Sequence, residues 1–571
     1  MAWWTCVFLL CVTTVLADGD WLEVEIEQGP VRGQKHPNGD VYAFYNIPYA
    51  TGPSGEDKFK PPLPPPTWTE PFNATGEKGI MCPQNSFMFD SIPVEVKEDC
   101  LIANVFVPDT TEKDLSVLVY VHGGGFVSGF SNWFQATQFI REKKDFIMVT
   151  FNYRLGIHGF LCLGTEDIPG NAGMKDQVEL LRWVQKNIAS FGGNPNDVTL
   201  VGSSAGSVSV ELIMLSKSAE NLFHRVIPES GGSLAAFAIQ RDPLEIARTY
   251  AKEINELAMV DDMNSLERFY KTTSIDALTA DSFFDRTDST FLFSPCVERN
   301  TSGAFLTESP LNILKKGDYK KLPMLYGFAN MEGLLRINFF ETWKNKMNEK
   351  FSDFLPADLQ FGSDAERLQV ANMVKKFYFG FDPVRNQNIL KYIEFFSDVI
   401  ITFPMLWASK LLVEAGHNQV YLYEYSFVDE NTPVVPHTNV RGADHCAQTF
   451  AWLDPRDAVP DTPQFQKMRA TVREIWHNFM KTGTPVPEGS SLPEWPALGA
   501  DMSPHMVLNE NLELRGVLLP VRKLFWDDMY AKHYRDSVPP RSGAGSMAQK
   551  NMFTLLTLYV IIYFTKKIIV E

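Results

Sequence analysis

The sequence is poor in positive charge and in cysteine, and it lacks internal repeats. Lys and Arg number 52 against 69 Asp and Glu, which gives a formal net charge of −17. Nucleic-acid binding needs clustered positive charge, so we expect no nucleic-acid partner. The seven cysteines include no Cys-x-x-Cys pair of the kind that binds zinc or carries redox chemistry. Without a repeat of fixed period, a solenoid or propeller has no support, and we expect one irregular globular domain.

The first residues have the pattern of a secretory signal. An apolar stretch, 7–16, ends in Val15-Leu16-Ala17, where a signal peptidase requires small or modest side chains. The stretch is too short to span about 30 Å of hydrocarbon, which argues against the alternative of an N-terminal membrane anchor. We therefore expect residues 1–17 to be removed as a signal peptide, leaving a main domain over 18–540 in the secretory pathway.

Cysteine and asparagine positions fit that route. Removal of the signal leaves an odd number of cysteines to meet an oxidising compartment, so at least one is unpaired. Cys82 and Cys100 are the expected pair, because closing their loop removes roughly 3 kcal/mol of unfolded-state entropy. The pairing of Cys162, Cys296 and Cys446 is left open. Two sequons predict glycosylation, at Asn73 and Asn300.

Residues 541–571 differ in pattern from the main domain. Small residues at 542–546 precede an apolar run, 552–564, which is followed by Lys566 and Lys567. A small-residue site followed by an apolar tail predicts a GPI signal and attachment to the outer cell surface. The alternatives are a short membrane span with its lysines at the cytoplasmic edge, and a tail on a freely secreted protein. The sequence carries no prediction of oligomeric state.

Apolar runs predict a large parallel sheet. The segments 117–121, 146–151 and 198–201 are continuous apolar runs, as in strands that are buried on both faces, and 324–328 and 420–425 repeat the pattern. Between the second and third runs, apolar residues from Met174 to Ile188 recur at helical spacing and predict a crossover helix. We expect an α/β fold with a mostly parallel central sheet, flanking helices, and helical insertions over 242–312 and 339–385.

A nucleophile motif follows one of these strands. Gly202-Ser203-Ser204-Ala205-Gly206 is a Gly-x-Ser-x-Gly sequence placed after the strand 198–201 and before an apolar, helix-like stretch. That strand-turn-helix context lifts the central hydroxyl above the sheet. The pattern predicts Ser204 as the nucleophile, whereas Ser203 occupies the x position, whose side chain points elsewhere. A plain glycine-rich turn is the alternative for the motif taken alone.

A second glycine-rich turn, His122-Gly123-Gly124-Gly125-Phe126, follows the strand 117–121. Glycines there let backbone N–H groups approach a developing oxyanion. We expect Gly124 and Gly125, together with Ala205, to form this oxyanion hole.

A serine nucleophile needs a base and an acid, which follow it along the chain in this architecture. His445 stands on a glycine-flanked loop beyond the strand 420–425 and is the expected base. His437 is its nearest rival, and His224 is expected to be structural. Glu332 is the expected acid, because it follows the strand 324–328, although this pattern alone leaves other carboxylates open.

With these residues, the chain from about 21 to 534 resembles the type B carboxylesterases of the carboxylesterase and cholinesterase family, most closely those of insects. The resemblance rests on Glu-Asp-Cys-Leu at 98–101, His-Gly-Gly-Gly-Phe at 122–126, Asn-Tyr-Arg-Leu-Gly at 152–156, Phe-Gly-Gly at 191–193, Gly-Ser-Ser-Ala-Gly at 202–206, Leu-Phe-His-Arg at 222–225 and Trp-His-Asn-Phe-Met-Lys-Thr-Gly-Thr-Pro at 476–485. It implies the α/β-hydrolase fold, the triad of Ser204, Glu332 and His445, the oxyanion hole and the Cys82–Cys100 disulfide.

The chain also departs from that family pattern. Ser203 stands where many relatives carry glutamate and juvenile hormone esterases typically glutamine, and Gln448 stands where relatives often carry an acid. The segment between Cys82 and Cys100 lacks the tryptophan with which cholinesterases hold a quaternary ammonium, so choline esters are not expected substrates. Cysteines for the second internal disulfide of the family are not evident.

These features predict a serine esterase that acts on small-molecule esters. The expected reaction passes through an acyl-enzyme on small apolar, xenobiotic or odorant-type esters, and no metal or organic cofactor is expected. A juvenile hormone esterase is one alternative. A noncatalytic adhesion protein on the same scaffold is another, although such proteins commonly lose the serine or the histidine, and this chain retains both.

Overall fold

The computed structural model describes residues 16–18, 20–37, 39–76, 78–85, 94–279, 285–454 and 460–540. The predicted signal peptide, apart from its last two residues, and the whole predicted tail of 541–571 lie outside these ranges. The strands are β1 (Leu16–Asp18), β2 (Trp21–Ile26), β3 (Gly29–Lys35), β4 (Val41–Pro48), β5 (Phe72–Asn73), β6 (Gly79–Met81), β7 (Val94–Val96), β8 (Ile102–Pro108), β9 (Leu115–Val121), β10 (Phe146–Phe151), β11 (Gly193–Ser203), β12 (Arg225–Glu229), β13 (Met324–Ala329), β14 (Val420–Tyr425), β15 (His505–Leu508) and β16 (Glu513–Arg515).

Helices cover this sheet and connect its strands. They are α1 (Thr137–Lys143), α2 (Gly156–Phe160), α3 (Ala172–Asn187), α4 (Ala205–Leu215), α5 (Pro243–Ile254), α6 (Met263–Thr272), α7 (Ile275–Leu278), α8 (Pro310–Lys316), α9 (Phe340–Glu349), α10 (Asp364–Phe379), α11 (Ile389–Ser397), α12 (Phe403–Glu414), α13 (Ala447–Trp452), α14 (Pro463–Thr482) and α15 (Pro520–His533). The predicted crossover helix is α3, and the predicted helical insertions contain α5 to α8, α9 and α10.

One mixed sheet dominates the described part of the chain. Its order is β1-β2-β3-β4-β8-β10-β9-β11-β12-β13-β14-β15-β16, with β5 paired to β3. The strands from β10 to β15 pair in parallel, and the strands toward β1 are antiparallel. The five strands predicted from apolar runs are β9, β10, β11, β13 and β14, so the predicted central sheet is confirmed.

Two apolar cores lie on the two faces of the sheet. Alternate residues of β9 contribute to them, Val117 and Val119 to one cluster and Leu118 and Tyr120 to the other. Burial on both faces explains why this strand reads as an unbroken apolar run. The helical stretch Asn386–Glu414 is long and apolar enough to cross a membrane by composition, but it is mostly buried in this core.

Two disulfides join distant parts of this domain. Cys82 bonds to Cys100, and Cys162 bonds to Cys296 across 134 residues, while the thiol of Cys446 is free and buried. The second bond answers a question that the sequence analysis left open, the pairing of Cys162, Cys296 and Cys446. No local spacing could reveal a pair so far apart in the chain. Both bonds fit folding in an oxidising, secretory compartment.

Candidate active site

Ser204 lies at a sharp turn between β11 and α4. Its backbone has φ +57° and ψ −122°, a conformation that costs a non-glycine residue free energy and persists only where its surroundings enforce it. The turn is tight on both sides. A Cβ at Gly202 would stand 2.4 Å from the Gly206 carbonyl oxygen, and one at Gly206 would stand 2.1 Å from the Val121 carbonyl oxygen. The two motif glycines are therefore a steric requirement.

The structure distinguishes the hydroxyl of Ser204 from that of Ser203. The Ser203 hydroxyl is buried and lies 2.9 Å from the Tyr120 hydroxyl, so it points into the fold. Ser204 is partly exposed, and its N–H donates to the Glu229 carbonyl oxygen at 2.9 Å. Only Ser204 of these two has a hydroxyl placed for an external substrate.

The second glycine-rich turn lies directly against this serine. A Cβ on Gly123 would come within 2.9 Å of the Ser204 Cβ, and Gly124 and Gly125 both adopt positive φ. Ala205 is the first residue of α4, so its N–H has no acceptor within the helix. The three predicted oxyanion donors thus belong to the turn and the helix start that flank Ser204.

His122 supports that turn in its neutral form. Burial lowers the pKa of its imidazole to about 4, and the ring stacks on Tyr153 with centroids 4.5 Å apart. The Tyr153 hydroxyl donates to the His122 carbonyl oxygen at 2.8 Å. These contacts hold the chain where β9 ends and the glycines begin.

His445 and Glu332 form a pair. His445 Nδ1 and Glu332 Oε2 are 2.5 Å apart, and the Glu332 carboxylate is fully buried. Its other oxygen accepts from the Ala329 N–H at 2.7 Å and from the Ser230 hydroxyl at 2.6 Å. These bonds leave Nδ1–H to donate to the carboxylate, so Nε2 is the nitrogen free to take a proton.

The charge state of His445 follows from its neighbours. Burial alone lowers the pKa of the imidazole, but the adjacent Cys446 thiol and the Glu332 carboxylate outweigh it and raise this pKa well above 6.5. A carboxylate beside an imidazole favours the protonated form, so the pair stabilises the imidazolium that a base becomes after taking a proton.

The loops that carry this pair are bound to each other, and the segment after β12 connects Glu332 to the serine turn. The Met331 N–H donates to the Ala443 carbonyl oxygen at 3.1 Å, which ties the Glu332 loop to the His445 loop. A Cβ on Gly231 would stand 2.4 Å from the Ser204 carbonyl oxygen, so the segment after β12 packs against the turn of Ser204. Ser230 lies in that segment and binds Glu332.

The rival histidines have other roles. The His224 Nδ1 accepts from the Val198 N–H at 3.1 Å, near the start of the parallel stretch of β11 and remote from Ser204 at its end. His437 is exposed and pairs with Glu341 at 3.1 Å. Neither contacts Glu332, so the expected structural place of His224 is found and His437 is not part of the pair.

Sequence reasoning missed the polar residues behind the pair. The Gln448 side chain donates to the Ser230 hydroxyl at 2.7 Å, and this hydroxyl in turn donates to Glu332. Glu229, beside Ser230, accepts hydrogen bonds from the helix that follows His445. The Gly-x-Ser-x-Gly motif gives no information about these residues, and only the departure of Gln448 from the family pattern pointed to one of them.

A cleft opens beside the histidine. Its volume is about 380 Å³. Its lining combines four aromatic side chains with polar ones: Tyr425, Phe427, Phe450 and Phe465 beside His445 and the carboxylates Asp429, Asp444 and Asp461. Within the described ranges, no group of three or more His, Cys, Asp or Glu side chains is arranged to hold a metal ion.

The predicted glycosylation sites, Asn73 and Asn300, are both exposed.

Comparisons with known proteins agree with this geometry. A family model described as "Carboxylesterase family" matches residues 20–526. Esterase FE4 of Myzus persicae is 29% identical over 512 residues, covering 85% of this chain and 88% of that protein. Juvenile hormone esterase of Tribolium castaneum is 31% identical over 475 residues, covering 78% and 80%. The crystal structure of juvenile hormone esterase from Manduca sexta, with OTFP covalently attached, has a TM-score of 0.79 at 27% identity, covering 90% of this chain and 100% of that one.

Proposed function

This chain belongs to the carboxylesterase family and is a carboxylic ester hydrolase, and from that premise we propose the residues and steps by which it works. Ser204 is the nucleophile, His445 the general base and acid, and Glu332 the carboxylate that orients the histidine. The observation that carries this assignment is the 2.5 Å contact between His445 and Glu332, with Glu332 bound by Ser230, whose neighbour Gly231 packs against the strained turn of Ser204.

The first half of the reaction forms an acyl-enzyme. His445 Nε2 takes the proton of the Ser204 hydroxyl, and the oxygen attacks the ester carbonyl carbon. The N–H groups of Gly124, Gly125 and Ala205 stabilise the negative oxygen of the tetrahedral intermediate, each contributing about 3 kcal/mol by analogy with other oxyanion holes. When the intermediate collapses, the proton on His445 passes to the departing alcohol.

The second half releases the acid. Water takes the place of the alcohol, gives its proton to His445 and attacks the acyl carbonyl carbon. Collapse of this second intermediate returns the proton to Ser204 and frees the carboxylic acid. No step requires a group beyond the protein and water.

The substrate class we propose is an ester with small or medium apolar groups, of the xenobiotic or odorant type. The aromatic side chains in the cleft beside His445, Tyr425, Phe427, Phe450 and Phe465, support this, because they offer apolar surface next to the base. A juvenile-hormone-type ester is the second candidate, since the similar proteins include juvenile hormone esterases. Esterase FE4 is similarly close to this chain, so identity alone does not rank the two candidates.

We also propose that the enzyme is secreted and glycosylated, with the predicted tail at 541–571 tethering it to the outer cell surface. The two disulfides and the exposed Asn73 and Asn300 support passage through the secretory pathway. Release of the protein from cells by a phosphatidylinositol-specific phospholipase tests the lipid tether. A protein that stays on cells after this treatment, or appears free in the medium without it, contradicts the tether.

Hydrolysis of nitrophenyl esters of increasing chain length, beside a methyl ester of a long apolar acid, tests the activity and ranks the substrates. Ser204→Ala should abolish turnover and covalent labelling by an organophosphate, whereas Ser203→Ala, the matched control, should keep both. A wild type without turnover or labelling would reject the catalytic assignment and favour an adhesion role on the same scaffold.

A further inference from the structure

A second buried carboxyl lies close to the proposed triad without belonging to it. Glu229 ends β12, next to the end of β11, where it pairs in register with Ser203. Its side chain is fully buried. Its backbone carbonyl oxygen accepts the N–H of Ser204, so the residue holds the nucleophile turn through its main chain.

The side chain of Glu229 binds the helix that follows the catalytic histidine. One carboxyl oxygen accepts from the Thr449 hydroxyl at 2.5 Å, and the other accepts from the Trp452 indole N–H at 3.1 Å. Both donors belong to α13, whose N-cap residue, Cys446, directly follows His445. A third bond comes from the Trp476 indole N–H at 2.8 Å, which fixes the carboxyl from the side of α14.

We propose that Glu229 is a positioning residue that holds His445 in place relative to Ser204, because it binds Ser204 with its backbone and α13 with its carboxyl. This inference rests on the function proposed above. The neighbouring Ser230 anchors Glu332 in the same way, so two consecutive residues link all three members of the triad. An imidazole that drifts by about 1 Å from the serine loses roughly a hundredfold in rate.

Hydrogen bonding, rather than charge, carries this role. The donors to Glu229 are a hydroxyl and two indoles, and all three are neutral. Burial raises the pKa of the carboxyl and these hydrogen bonds lower it, with a net pKa of about 7. The neutral form is therefore populated near neutral pH. A glutamine can accept from both indoles with its oxygen and donate to the Thr449 hydroxyl with its amide, so it reproduces the contacts.

The matched control is Glu211, another fully buried carboxyl whose pKa is raised by burial. It accepts from the Ser233 N–H, the Ser233 hydroxyl and the Tyr326 hydroxyl, and none of these belongs to α13. Replacing it by alanine removes a similar set of buried bonds without releasing the helix behind His445.

The experiment compares kcat and KM for a nitrophenyl ester, per active site titrated with an organophosphate, in the full chain. We expect Glu229→Ala to lower kcat by roughly tenfold to a hundredfold with KM changed less than about threefold. Glu229→Gln should restore kcat to within about threefold of wild type, and Glu211→Ala should leave kcat within the same range. Equal losses of kcat in the two alanine variants, or a glutamine variant as slow as the alanine one, would overturn the inference.

Thr449→Val tests the route through α13, and the single variant does not depend on Glu229→Ala being able to fold. It should lower kcat by about threefold to tenfold, the value of one hydrogen bond, and should add nothing to the effect of Glu229→Ala in the double variant. An unchanged kcat in Thr449→Val, or effects that add in the double variant, would refute the route. A wild type that does not hydrolyse esters would reject the proposed function instead, before any variant is compared.

Discussion

Glu332→Gln should nearly abolish turnover although it changes one atom of the carboxyl group. One carboxyl oxygen of Glu332 accepts from the Ala329 backbone N–H, and the other faces His445 Nδ1. A backbone N–H can only donate, so the glutamine must turn its oxygen toward Ala329 and its NH₂ toward the imidazole. Nδ1 must then accept a hydrogen bond, and the ring proton moves to Nε2, the nitrogen that should take the proton of Ser204.

The size of the loss follows from this change of tautomer. The opposite orientation of the amide would set its NH₂ against the Ala329 N–H in a buried place, and the histidine can change tautomer at a smaller cost. In a triad of this kind, the wrong tautomer and the lost stabilisation of the imidazolium together cost about 10³-fold to 10⁴-fold in kcat, or about 4–5.5 kcal/mol of barrier.

The measurement is kcat at saturating nitrophenyl ester, with thermal unfolding to show that the variant is folded. Glu211→Gln is the control, because it makes the same change in a buried carboxyl that contacts no member of the triad. A Glu332→Gln enzyme that keeps more than a tenth of the wild-type kcat would show that Glu332 does not set the tautomer of His445, and the assignment of the acid would fail.

Three other results follow from the structure. Because the pKa of His445 is raised and its protonated form is inactive, kcat/KM should rise with pH through a limb centred above pH 6.5, and a limb below that value in a pH–rate profile would contradict the pairing with Glu332. Removing the Cys162–Cys296 bond with the paired change of both residues to serine should lower the free energy of unfolding in urea by about 2–5 kcal/mol, since the bond closes a long loop; an unchanged midpoint would contradict this. Gly206→Ala should lose folded protein or activity, because its Cβ would stand 2.1 Å from the Val121 carbonyl oxygen, and a soluble variant with wild-type kcat would refute that steric argument.

Local parts of the site were predictable from the sequence, because strands, turns and their glycines are contiguous there. Ser204 follows an apolar strand within a five-residue motif, and the structure puts it at the turn expected for that motif. The oxyanion turn is equally local, since Gly124 and Gly125 follow β9 directly. In both places, the steric requirement for glycine acts among a few neighbouring residues, so a short sequence motif is enough to predict it.

Other parts depend on contacts between distant residues, which no local pattern encodes. Glu332 is one of several carboxylates that follow Ser204; its place after a predicted strand favours it, and the family resemblance strengthens that choice, but no local pattern excludes the others. The Cys162–Cys296 bond spans most of a helical insertion and had no spacing to reveal it. Glu229 was not noticed, because a charged residue at the end of an unassigned strand looks solvated until the sheet register sets it beside Ser203.

The hydrogen bonds around His445 and Glu332 give a role to the two residues that depart from the family pattern. Ser203 and Gln448 replace acids with neutral groups, which takes negative charge away from the surroundings of His445. The neutral replacements are still useful as hydrogen-bonding groups: Ser203 binds Tyr120, and Gln448 holds Ser230 against Glu332.

Glu229 lies deeper, bound to neutral donors, with a pKa of about 7, so it is only partly charged at neutral pH. Among the described residues, Glu332 is then the one carboxylate hydrogen-bonded to the imidazole, and stabilisation of the imidazolium depends on it. The severe loss expected for Glu332→Gln, beside the mild one for Glu229→Gln, is a direct consequence of this division between charge and position.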